Sequence, residues 1–532
     1  MRKRMNKFTG MILAAAICSG GLSGCAKEEP AAGASPSNSE PPRTLTVEVF
    51  DRGKSGQPPL DNNYWTRYVN ENFGKENNVT VKYVSVPRTQ EVDKLNVLMA
   101  ANEAPDLSFT YDSGVVYNYA QQGGLAELDD YIDKYGPNLT KELGPDVLKY
   151  GKFGNKQYAI PSKRTMRQTT MLWIRKDWLD KLGLPLPTTR DEFYQALVAF
   201  RDKNPGKVDG VVPMAYSASS GSGTGTFNLD ESFYAPMAEA ELARVSNSNP
   251  WIMTWAVPEY KSYMKLMNKM YNEGLLSKDA AIDKTGSQAV AEVSSGKAGA
   301  FAANWDYIYR ASPGIYSTLK KNVPGAELVP VDTFKNSQGK YSKIEYPANG
   351  MYLMVPKASK NADLVVKYLN WMADPKVTAF MQFGKEGEDY TLQNGIPVPV
   401  APSTLTGDKF QSASFNGDYC LLFSGPQLGD DAKNLAELML GYPGYESDVK
   451  KAAQIAMTDT RTGFAFTIPN ASYAKNSAAL QTKTDQMMAR LITAPPAEFD
   501  SLYDNQVKEY MTAGGQAVLD ENVKNYKAQT GK

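Results

Sequence analysis

The chain has 532 residues, in which 58 Lys and Arg balance 58 Asp and Glu, with three cysteines and no histidine. This balance gives no general electrostatic attraction to nucleic acid, whose binding proteins carry a basic face. The lack of histidine excludes Ser-His-Asp and Cys-His nucleophilic catalysis and histidine-ligated zinc, while carboxylate chemistry such as glycoside hydrolysis stays open.

The first 25 residues have the pattern of a secretory signal that ends at a cysteine. Residues 1–7 carry four basic side chains and no acidic one, and the apolar run FTGMILAAAICSGG follows them. This run is shorter than the roughly 20 apolar residues of a membrane-spanning helix, which predicts a cleaved signal. It closes with LSGC, which resembles the lipobox of bacterial lipoproteins. The alternative is an ordinary signal with an incidental cysteine.

The lipobox resemblance implies that residues 1–24 are removed and that Cys25 carries a lipid. Cleavage removes four basic residues and no acid, which leaves 54 basic against 58 acidic side chains. Residues 25–43 are mostly Pro, Ala, Ser and Glu and are predicted to form a disordered tether. Cys420 then has no partner for an intramolecular disulfide, because Cys18 leaves with the signal.

From residue 44 onward the hydrophobic pattern is that of an α/β protein. The predicted elements are a strand over 44–53, a helix over 62–74, a strand over 78–86, a helix that ends before Pro105 and a strand over 107–110. The first strand is indicated by the alternation of Leu45, Val47 and Val49. Alternating strands and helices predict a largely parallel sheet with helices on both faces.

The remaining chain repeats this alternation and ends in helices. Strands are predicted over 157–161, 169–175, 294–307 and 349–357, and helices after Thr189, after Pro258, over 362–372 and over much of 477–529. Thr189 and Glu192 have the spacing of a capping box. Tyr260, Met264, Met267 and Tyr271 form one predicted buried helix face. The roughly 490 residues after the tether exceed a single hydrophobic core and indicate two lobes or more.

Nine segments, in order along the chain, resemble the extracellular solute-binding proteins of carbohydrate ABC importers. They are APDLSF, GGLAELDDYIDKYGP, GNKQYAIPS, LWIRKDWLDKLGLPLPTTRDEF, YKSYMKLMNKMYNEGLL, GKAGAF, WMADPK, FGKEGEDY and ITAPPAEFDSLYDNQVKEYMTAGG. Within that family the resemblance extends to long lipoproteins of the Bacillus and Paenibacillus type and to the alginate-binding proteins.

The resemblance implies a periplasmic-binding-protein-like α/β fold, with two α/β lobes joined by a multi-segment hinge and the ligand cleft between them. By this analogy the chain crosses between lobes near 160–163, 345–350 and 394–400. The first lobe is then expected to comprise 44–160 plus 350–395, and the second 161–349 plus 396–532. Parallel sheets place ligands outside the carboxyl ends of their strands, which agrees with this arrangement.

Sugar recognition needs planar side chains that stack on ring faces and polar side chains that bond hydroxyls. Tyr111 and Asp112 follow a predicted strand, although a surface turn in which Asp112 caps its own backbone is the alternative. Arg164 and Arg167 suit a uronate carboxylate, although solvated surface charge is equally compatible. The candidate ligand-binding residues are Tyr111, Asp112, Arg164, Arg167, Trp251, Asn304, Trp305, Asp306 and Asn349.

The tryptophans divide by their setting. Trp305 lies in NWDY, which follows a predicted strand and is expected to form a cleft loop. Trp251 and Trp255 precede a helix and are weaker candidates for ligand contact. Trp65 and Trp178 lie at helical spacing and are predicted to be core residues.

One segment departs from the alginate-binding relatives, which carry an EF-hand-like calcium loop after the helix that follows PTT. Here the loop reads DKNPGKVDG, with Asp202, Asn204 and Asp209 as weak candidate ligands and Gly210 where an acidic residue is expected. Calcium takes six to eight oxygen ligands. No tight calcium site and no cofactor are therefore predicted.

These observations favour a binding protein over an enzyme. The expected protein is a monomer, lipid-anchored at the extracytoplasmic face of the cell membrane. It captures a neutral or uronate-containing oligosaccharide for membrane permease subunits and binds no nucleic acid. A surface-anchored glycoside hydrolase or polysaccharide lyase is the first alternative, although no local pair of carboxylates stands out. A peptide-binding lipoprotein is the second.

Overall fold

The computed structural model of the chain describes residues 41–53, 57–167, 170–219, 229–246, 253–310, 314–400, 408–409 and 416–532. The predicted signal, Cys25, residues 26–40 and Trp251 lie outside these ranges. The predicted tether ends earlier than expected, because Arg43 begins the first strand and pairs with Asp363 at 2.8 Å. Among the described helices, none is both long and apolar enough to cross a lipid bilayer.

The strands are short and are distributed over most of the chain. They are β1 Arg43–Asp51, β2 Val79–Pro87, β3 Ser108–Thr110, β4 Lys152–Phe153, β5 Lys156–Gln157, β6 Ala159–Arg164, β7 Thr170–Arg175, β8 Val212–Ala215, β9 Ala298–Asn304, β10 Leu328–Val331, β11 Lys343–Ile344, β12 Asn349–Met354, β13 Tyr390–Gln393, β14 Ile396–Pro399, β15 Phe423–Ser424 and β16 Thr460–Arg461.

Helices separate these strands and make up most of the last hundred residues. They are α1 Tyr64–Val69, α2 Glu91–Ala101, α3 Ser113–Gln121, α4 Asp129–Tyr135, α5 Pro137–Leu148, α6 Lys176–Leu182, α7 Arg190–Lys203, α8 Glu239–Val245, α9 Tyr260–Asn272, α10 Ser287–Ser294, α11 Ile315–Asn322, α12 Ala362–Met372, α13 Pro375–Phe383, α14 Asp431–Leu440, α15 Glu446–Met457, α16 Ala471–Thr493, α17 Phe499–Tyr510 and α18 Gln516–Thr530.

Local sequence signals explain where several helices begin. The Asn63 side chain accepts hydrogen bonds from the backbone N–H groups of Trp65 and Thr66 and so caps α1. The predicted capping box at the start of α7 is confirmed, since Thr189 and Glu192 each bond the other's backbone.

The first lobe has a parallel pair of strands, β2-β1, next to a mixed sheet with the strand order β3-β12-β6-β15. Strand β1 runs parallel to β2 and meets β3 in parallel at Val47 and Leu107. Strand β12 is antiparallel to both β3 and β6, while β15 is parallel to β6. The predicted parallel arrangement is therefore confirmed for the first three strands and wrong for β12, which enters the sheet from the opposite side.

The second lobe is a sheet with apolar side chains on both faces. Its order is β10-β7-β9-β8. Along β7, Leu172 and Ile174 pack into one core, and Met171 and Trp173 pack into another on the opposite face. This alternation follows from the period of two in a strand. A strand buried on both faces explains why 170–175 reads as a nearly continuous apolar run.

The predicted face of α9 is confirmed. Tyr260, Met264 and Met267 are buried in the second lobe, and Tyr271 packs partly buried against the same core. The expectation of a core position also holds for Trp65 and Trp178, which are almost fully buried.

Three neighbouring strands of the first sheet carry the chain between the lobes. Lys163 of β6 pairs in register with Asn349 of β12 and with Phe423 of β15. The chain therefore leaves the first lobe after β6, returns at β12 and leaves again after β15. The third crossing differs from the predicted one, because 394–400 belongs to the β13–β14 hairpin.

The same difference appears in the cores. Residues Tyr419 to Phe423 are buried in the core of the first lobe, whereas the predicted division puts 396–532 in the second lobe. The side chains that follow β15, from α14 onward, pack with the second lobe.

Candidate functional site

Charged and aromatic side chains lie at the carboxyl ends of the first-lobe strands, which together form one edge of the lobe. Arg52 comes directly after β1, Arg88 after β2 and Tyr111 after β3. Arg164 is the last residue of β6, the strand that leads out of the lobe. Because α/β proteins bind ligands at the carboxyl ends of their strands, this edge is the first lobe's half of the candidate cleft.

Tyr111 presents a supported aromatic ring at this edge. Its ring stacks on Phe50, with centroids 6.3 Å apart and an interplanar angle of 17°. The Arg88 guanidinium carbon lies 4.9 Å from the centroid of each of these two rings. Burial raises the pKa of Tyr111, and the nearby charges of Arg88, Arg164 and Arg52 act in the opposite direction. The ring keeps 36% of its surface exposed and is available for stacking.

A buried carboxylate positions Arg88. One Glu91 oxygen accepts hydrogen bonds from the Thr110 hydroxyl at 3.0 Å, and the other from Arg88 at 2.6 Å. Glu48 lies near Glu91 in the interior, where burial raises the pKa of Glu48 to about 8. Glu48 is therefore protonated at neutral pH. Glu91 is the carboxylate that pairs with Arg88.

Arg164 differs from the other arginines at this edge. Its guanidinium carbon lies 4.6 Å from the centroid of the Tyr346 ring, and its Nε is 3.4 Å from the Asn349 carbonyl oxygen. Burial lowers the pKa of Arg164. Arg52 and Arg88 each pair with a carboxylate, but among the described residues no acidic side chain forms a salt bridge with Arg164. Arg164 is therefore a half-buried cation without a carboxylate partner among the described residues.

The second lobe faces Arg164 with a polar network that follows β9. Asn304 donates a hydrogen bond to the Tyr346 hydroxyl at 3.1 Å. Asp306 accepts two bonds from Arg310, at 2.8 and 2.6 Å, and a third from the Tyr442 hydroxyl. Tyr346 thus links the second-lobe network to Arg164, and two of the candidates, Asn304 and Asp306, lie beside the candidate cleft.

Two of the tryptophans considered for ligand contact, Trp255 and Trp305, are buried in this structure. Trp305 is only 6% exposed and meets Tyr442 edge to face at 6.4 Å. Trp255 is buried in the second lobe and donates its indole N–H to Thr484. Trp251 lies outside the described residues. Among the described candidates, Tyr111 is the aromatic side chain that stays exposed.

Three further candidates are held by the protein itself. Asp112 accepts a hydrogen bond from the Gly114 backbone N–H at 2.7 Å and caps α3, which is the alternative noted for it. Arg167 pairs with Glu345 at 3.2 Å and is exposed. Asn349 is 3% exposed and lies in the hinge strand β12. The role of all three as ligand contacts stays a prediction.

A cavity of about 590 Å³ lies between the two lobes. Its lining is Tyr64, Trp65, Arg310, Gln382, Phe383, Gly384, Asp389, Tyr390, Pro397, Pro399, Lys409, Gly417, Cys420, Phe423, Gly425, Pro426, Glu437, Leu438, Gly441 and Tyr442. Arg310 and Tyr442 also bond Asp306, so these two side chains belong both to the cavity lining and to the second-lobe network.

Most of this lining was not found from the sequence. The Tyr64 hydroxyl donates to Asp389 at 2.6 Å, and Lys409 pairs with the same carboxylate at 3.0 Å. Tyr64 precedes Asp389 by 325 residues in the chain, so the contact depends on the tertiary structure. The only sequence signal near them is FGKEGEDY, a family-like segment that contains Asp389.

The calcium candidates do not fit a calcium site. Asp202 pairs with Arg201 at 2.7 Å, and both polar atoms of the Asn204 side chain bond the backbone of Val208, at 3.1 and 2.9 Å. Asp209 is exposed. Within the described ranges, no three acidic, cysteine or histidine side chains come together as a metal-binding group. Asp202 and Asn204 are therefore engaged in local contacts and do not converge on a common point as calcium ligands would.

Comparison with known proteins identifies sequence relatives over most of the chain. The model of the family described as bacterial extracellular solute-binding protein matches residues 58–379. Lipoprotein LipO of Bacillus subtilis is 28% identical over 410 residues, which cover 74% of this chain and 76% of LipO. The polygalacturonan/rhamnogalacturonan-binding protein YtcQ of the same organism is 27% identical over 342 residues, which cover 63% and 64%.

Solved structures share the fold. The alginate-binding protein AlgQ2, solved without calcium ion, aligns with a TM-score of 0.65 at 20% identity, covering 92% of this chain and 99% of AlgQ2. The substrate-binding protein FusA of Streptococcus pneumoniae, as an EF-hand mutant, aligns with a TM-score of 0.66 at 18% identity, covering 92% and 100%. The expected two-lobed binding-protein fold is thus confirmed. The chain belongs to the family of bacterial extracellular solute-binding proteins.

Proposed function

We propose that this protein is the lipid-anchored substrate-binding component of an ABC importer for oligosaccharides that contain a uronic acid. The cleft between the lobes captures the sugar, and the loaded protein delivers it to permease subunits. Cys25 carries the lipid and holds the protein at the extracytoplasmic face of the membrane. The protein acts as a monomer and does not alter its ligand chemically.

The unpaired guanidinium of Arg164 carries the proposal of an acidic sugar. A buried charge is costly unless a partner of opposite charge compensates it. Arg164 lies at the hinge edge of the cleft, between Tyr346 and the neighbourhood of Tyr111. A uronate supplies both missing elements, since its carboxylate binds a guanidinium in bidentate fashion and its ring face stacks on an aromatic side chain.

Relatives support a carbohydrate ligand and differ in its charge. YtcQ is named for polygalacturonan and rhamnogalacturonan, and AlgQ2 for alginate. FusA is described as a fructooligosaccharide-binding protein. The choice of an acidic sugar for this chain therefore rests on Arg164.

The hinge explains how binding drives closure. Groups of both lobes line the cavity, so a ligand that contacts both has more interactions in the closed form than in the open form. Its differential affinity shifts the population toward the closed state, and the crossings beside β6, β12 and β15 absorb the rotation.

The direct test is calorimetric titration of the mature protein with trigalacturonate, an alginate trisaccharide, 1-kestose and maltotriose. We expect binding of an acidic trisaccharide, with recovery of the intact saccharide by chromatography after incubation. Binding of neutral saccharides alone contradicts the uronate assignment. Release of shorter or unsaturated products contradicts the receptor role and favours a hydrolase or lyase.

A further inference from the structure

Glu437 differs from the other charged side chains that line the cavity between the lobes. Arg310 is paired with Asp306, and Lys409 is paired with Asp389. Glu437, on α14, forms neither a salt bridge nor a side-chain hydrogen bond with any of the described residues, and it lines the same cavity. Burial by itself raises the pKa of Glu437 to about 7.

Because no described residue compensates this half-buried carboxylate, its position on the cavity wall points to a partner within the cavity. Burial of a carboxylate without hydrogen-bond donors destabilises the folded state. At the surface of a protein such a group is compensated by water, but Glu437 lies on the wall of a cavity that closes between two lobes. The donors must therefore come from what fills the cavity.

We propose that Glu437 contacts the ligand and selects for a pair of adjacent sugar hydroxyls. An ionised carboxylate has two oxygens that accept hydrogen bonds, and neighbouring hydroxyls of a sugar ring present two donors at matching spacing. A uronate carboxylate is repelled at this position. This assignment rests on the proposed function, and it places the acidic group of the sugar at Arg164 and an unmodified diol at Glu437.

The ionisable groups that face Glu437 do not mask its titration. The cavity also contains Arg310, Asp389, Lys409, Tyr64, Tyr390, Tyr442 and Cys420. Burial raises the pKa values of the three tyrosines, and that of the Cys420 thiol to about 12, so these groups are neutral. Burial opposes the ionisation of Asp389, but hydrogen bonds from Lys385, Tyr64 and Lys409 hold its pKa below the usual range.

Strand β14 and helix α15 pack on α14, and α15 carries the charged side chains Glu446, Asp448, Lys450 and Lys451. Strand β14 reads IPVP and has no ionisable side chain. Helix α15 shares a core with α14 through Val449 and Ala452, against which Leu435 and Leu438 pack. Among the described ionisable groups that line the cavity, Glu437 is therefore the one whose charge is expected to change between about pH 5 and pH 8.

The test compares the mature wild-type protein with E437Q and with D431N, which removes an exposed carboxylate from the same helix. Titrations use trigalacturonate, 1-kestose and maltotriose at about pH 5.5 and pH 8. We expect wild-type affinity for the bound saccharide to increase with pH, because the ionised carboxylate is the acceptor. We expect E437Q to bind at least about tenfold more weakly at the higher pH, with little pH dependence, and D431N to match wild type.

Thermal unfolding without ligand separates a ligand contact from a structural role. If Glu437 lacks a partner in the protein, E437Q removes a buried charge and raises the Tm at about pH 8. A lower Tm for E437Q, or wild-type affinity at that pH, overturns the assignment. If wild type binds neither these three saccharides nor an alginate trisaccharide, the proposed function itself fails. Binding by wild type with no effect of E437Q refutes only the role of Glu437.

Discussion

The guanidinium of Arg164 lies over the ring of Tyr346, with its carbon 4.6 Å from the ring centroid. Arg164 ends the strand by which the chain leaves the first lobe, and Tyr346 precedes the strand by which it returns. The contact therefore joins two crossings of the hinge, and a cation–π interaction stabilises the cation in part.

Replacement of Arg164 should separate acidic from neutral sugars. R164M is expected to weaken trigalacturonate binding by about 10- to 100-fold, the range of a hydrogen-bonded charge contact of about 1.5–3 kcal/mol. R164K should retain part of the affinity but lose the bidentate geometry. Calorimetry with K94Q, which removes an exposed positive charge away from the candidate residues, provides the control. Equal losses for neutral and acidic trisaccharides would show that Arg164 acts on the hinge and not on the ligand.

Tyr111 should contribute through its ring. We expect Y111A to weaken saccharide binding by about 2- to 13-fold, which corresponds to the roughly 0.5–1.5 kcal/mol of an aromatic contact. Y111F keeps the stack on Phe50 and serves as the matched control, with an affinity near that of wild type. The measurement is the dissociation constant at fixed salt. Full affinity in Y111A would place the stacking surface elsewhere.

Glu48 should make the folded state less stable as pH rises. Its pKa is raised from 4.5 to about 8 by burial, so the folded state holds a proton that the unfolded state has lost. The free energy of unfolding then falls between about pH 4.5 and pH 8, by up to about 1 kcal/mol per pH unit from this group. E48Q should flatten that slope in urea unfolding, whereas E76Q, at an exposed position, should not. Identical slopes for E48Q and wild type would contradict the assignment.

The loop at 202–210 should be indifferent to calcium. The Tm is expected to be the same with calcium as with a chelator. The candidate ligand Asp202 is paired with Arg201, and the candidate ligand Asn204 is bonded to the Val208 backbone. N204A should destabilise the protein by about 1–2 kcal/mol through loss of two hydrogen bonds to Val208, and D209A should be neutral. A Tm that increases with calcium would refute the side-chain closure of the loop.

Cys25 should be required for membrane attachment. C25S is expected to leave the protein in the aqueous phase after detergent partition of whole-cell extract, because a stable anchor needs covalently attached acyl chains. C18S, within the signal, is the control and should partition like wild type. Detergent-phase C25S would show that another feature holds the protein at the membrane.

Some features were predictable because they depend on neighbours in the chain. The alternation of Leu45, Val47 and Val49, the stripe on α9 and the capping box at Thr189 are local patterns, and the structure contains all three. The nine family-like segments, taken in chain order, were enough to indicate the family, because each segment is a short run of neighbouring residues.

The tertiary structure decided which side chains share the cleft. Trp305 follows a strand as expected, yet its ring is covered by Tyr442, which is more than a hundred residues away. The third crossing follows β15, although the segment near 394–400 resembled a hinge, because β15 pairs beside β6. Arg164 was a candidate from the sequence, but its lack of a carboxylate partner was not visible there.

The sequence by itself determined the elements, their buried faces, the signal pattern that ends at Cys25 and the family. Local periodicity and short motifs are properties of neighbouring residues, and they are legible without the fold. The cavity that joins Tyr64, Arg310 and Glu437 and the isolation of Arg164 were decided only by the tertiary structure. Both depend on contacts between distant segments, whose distances and burial no local pattern specifies.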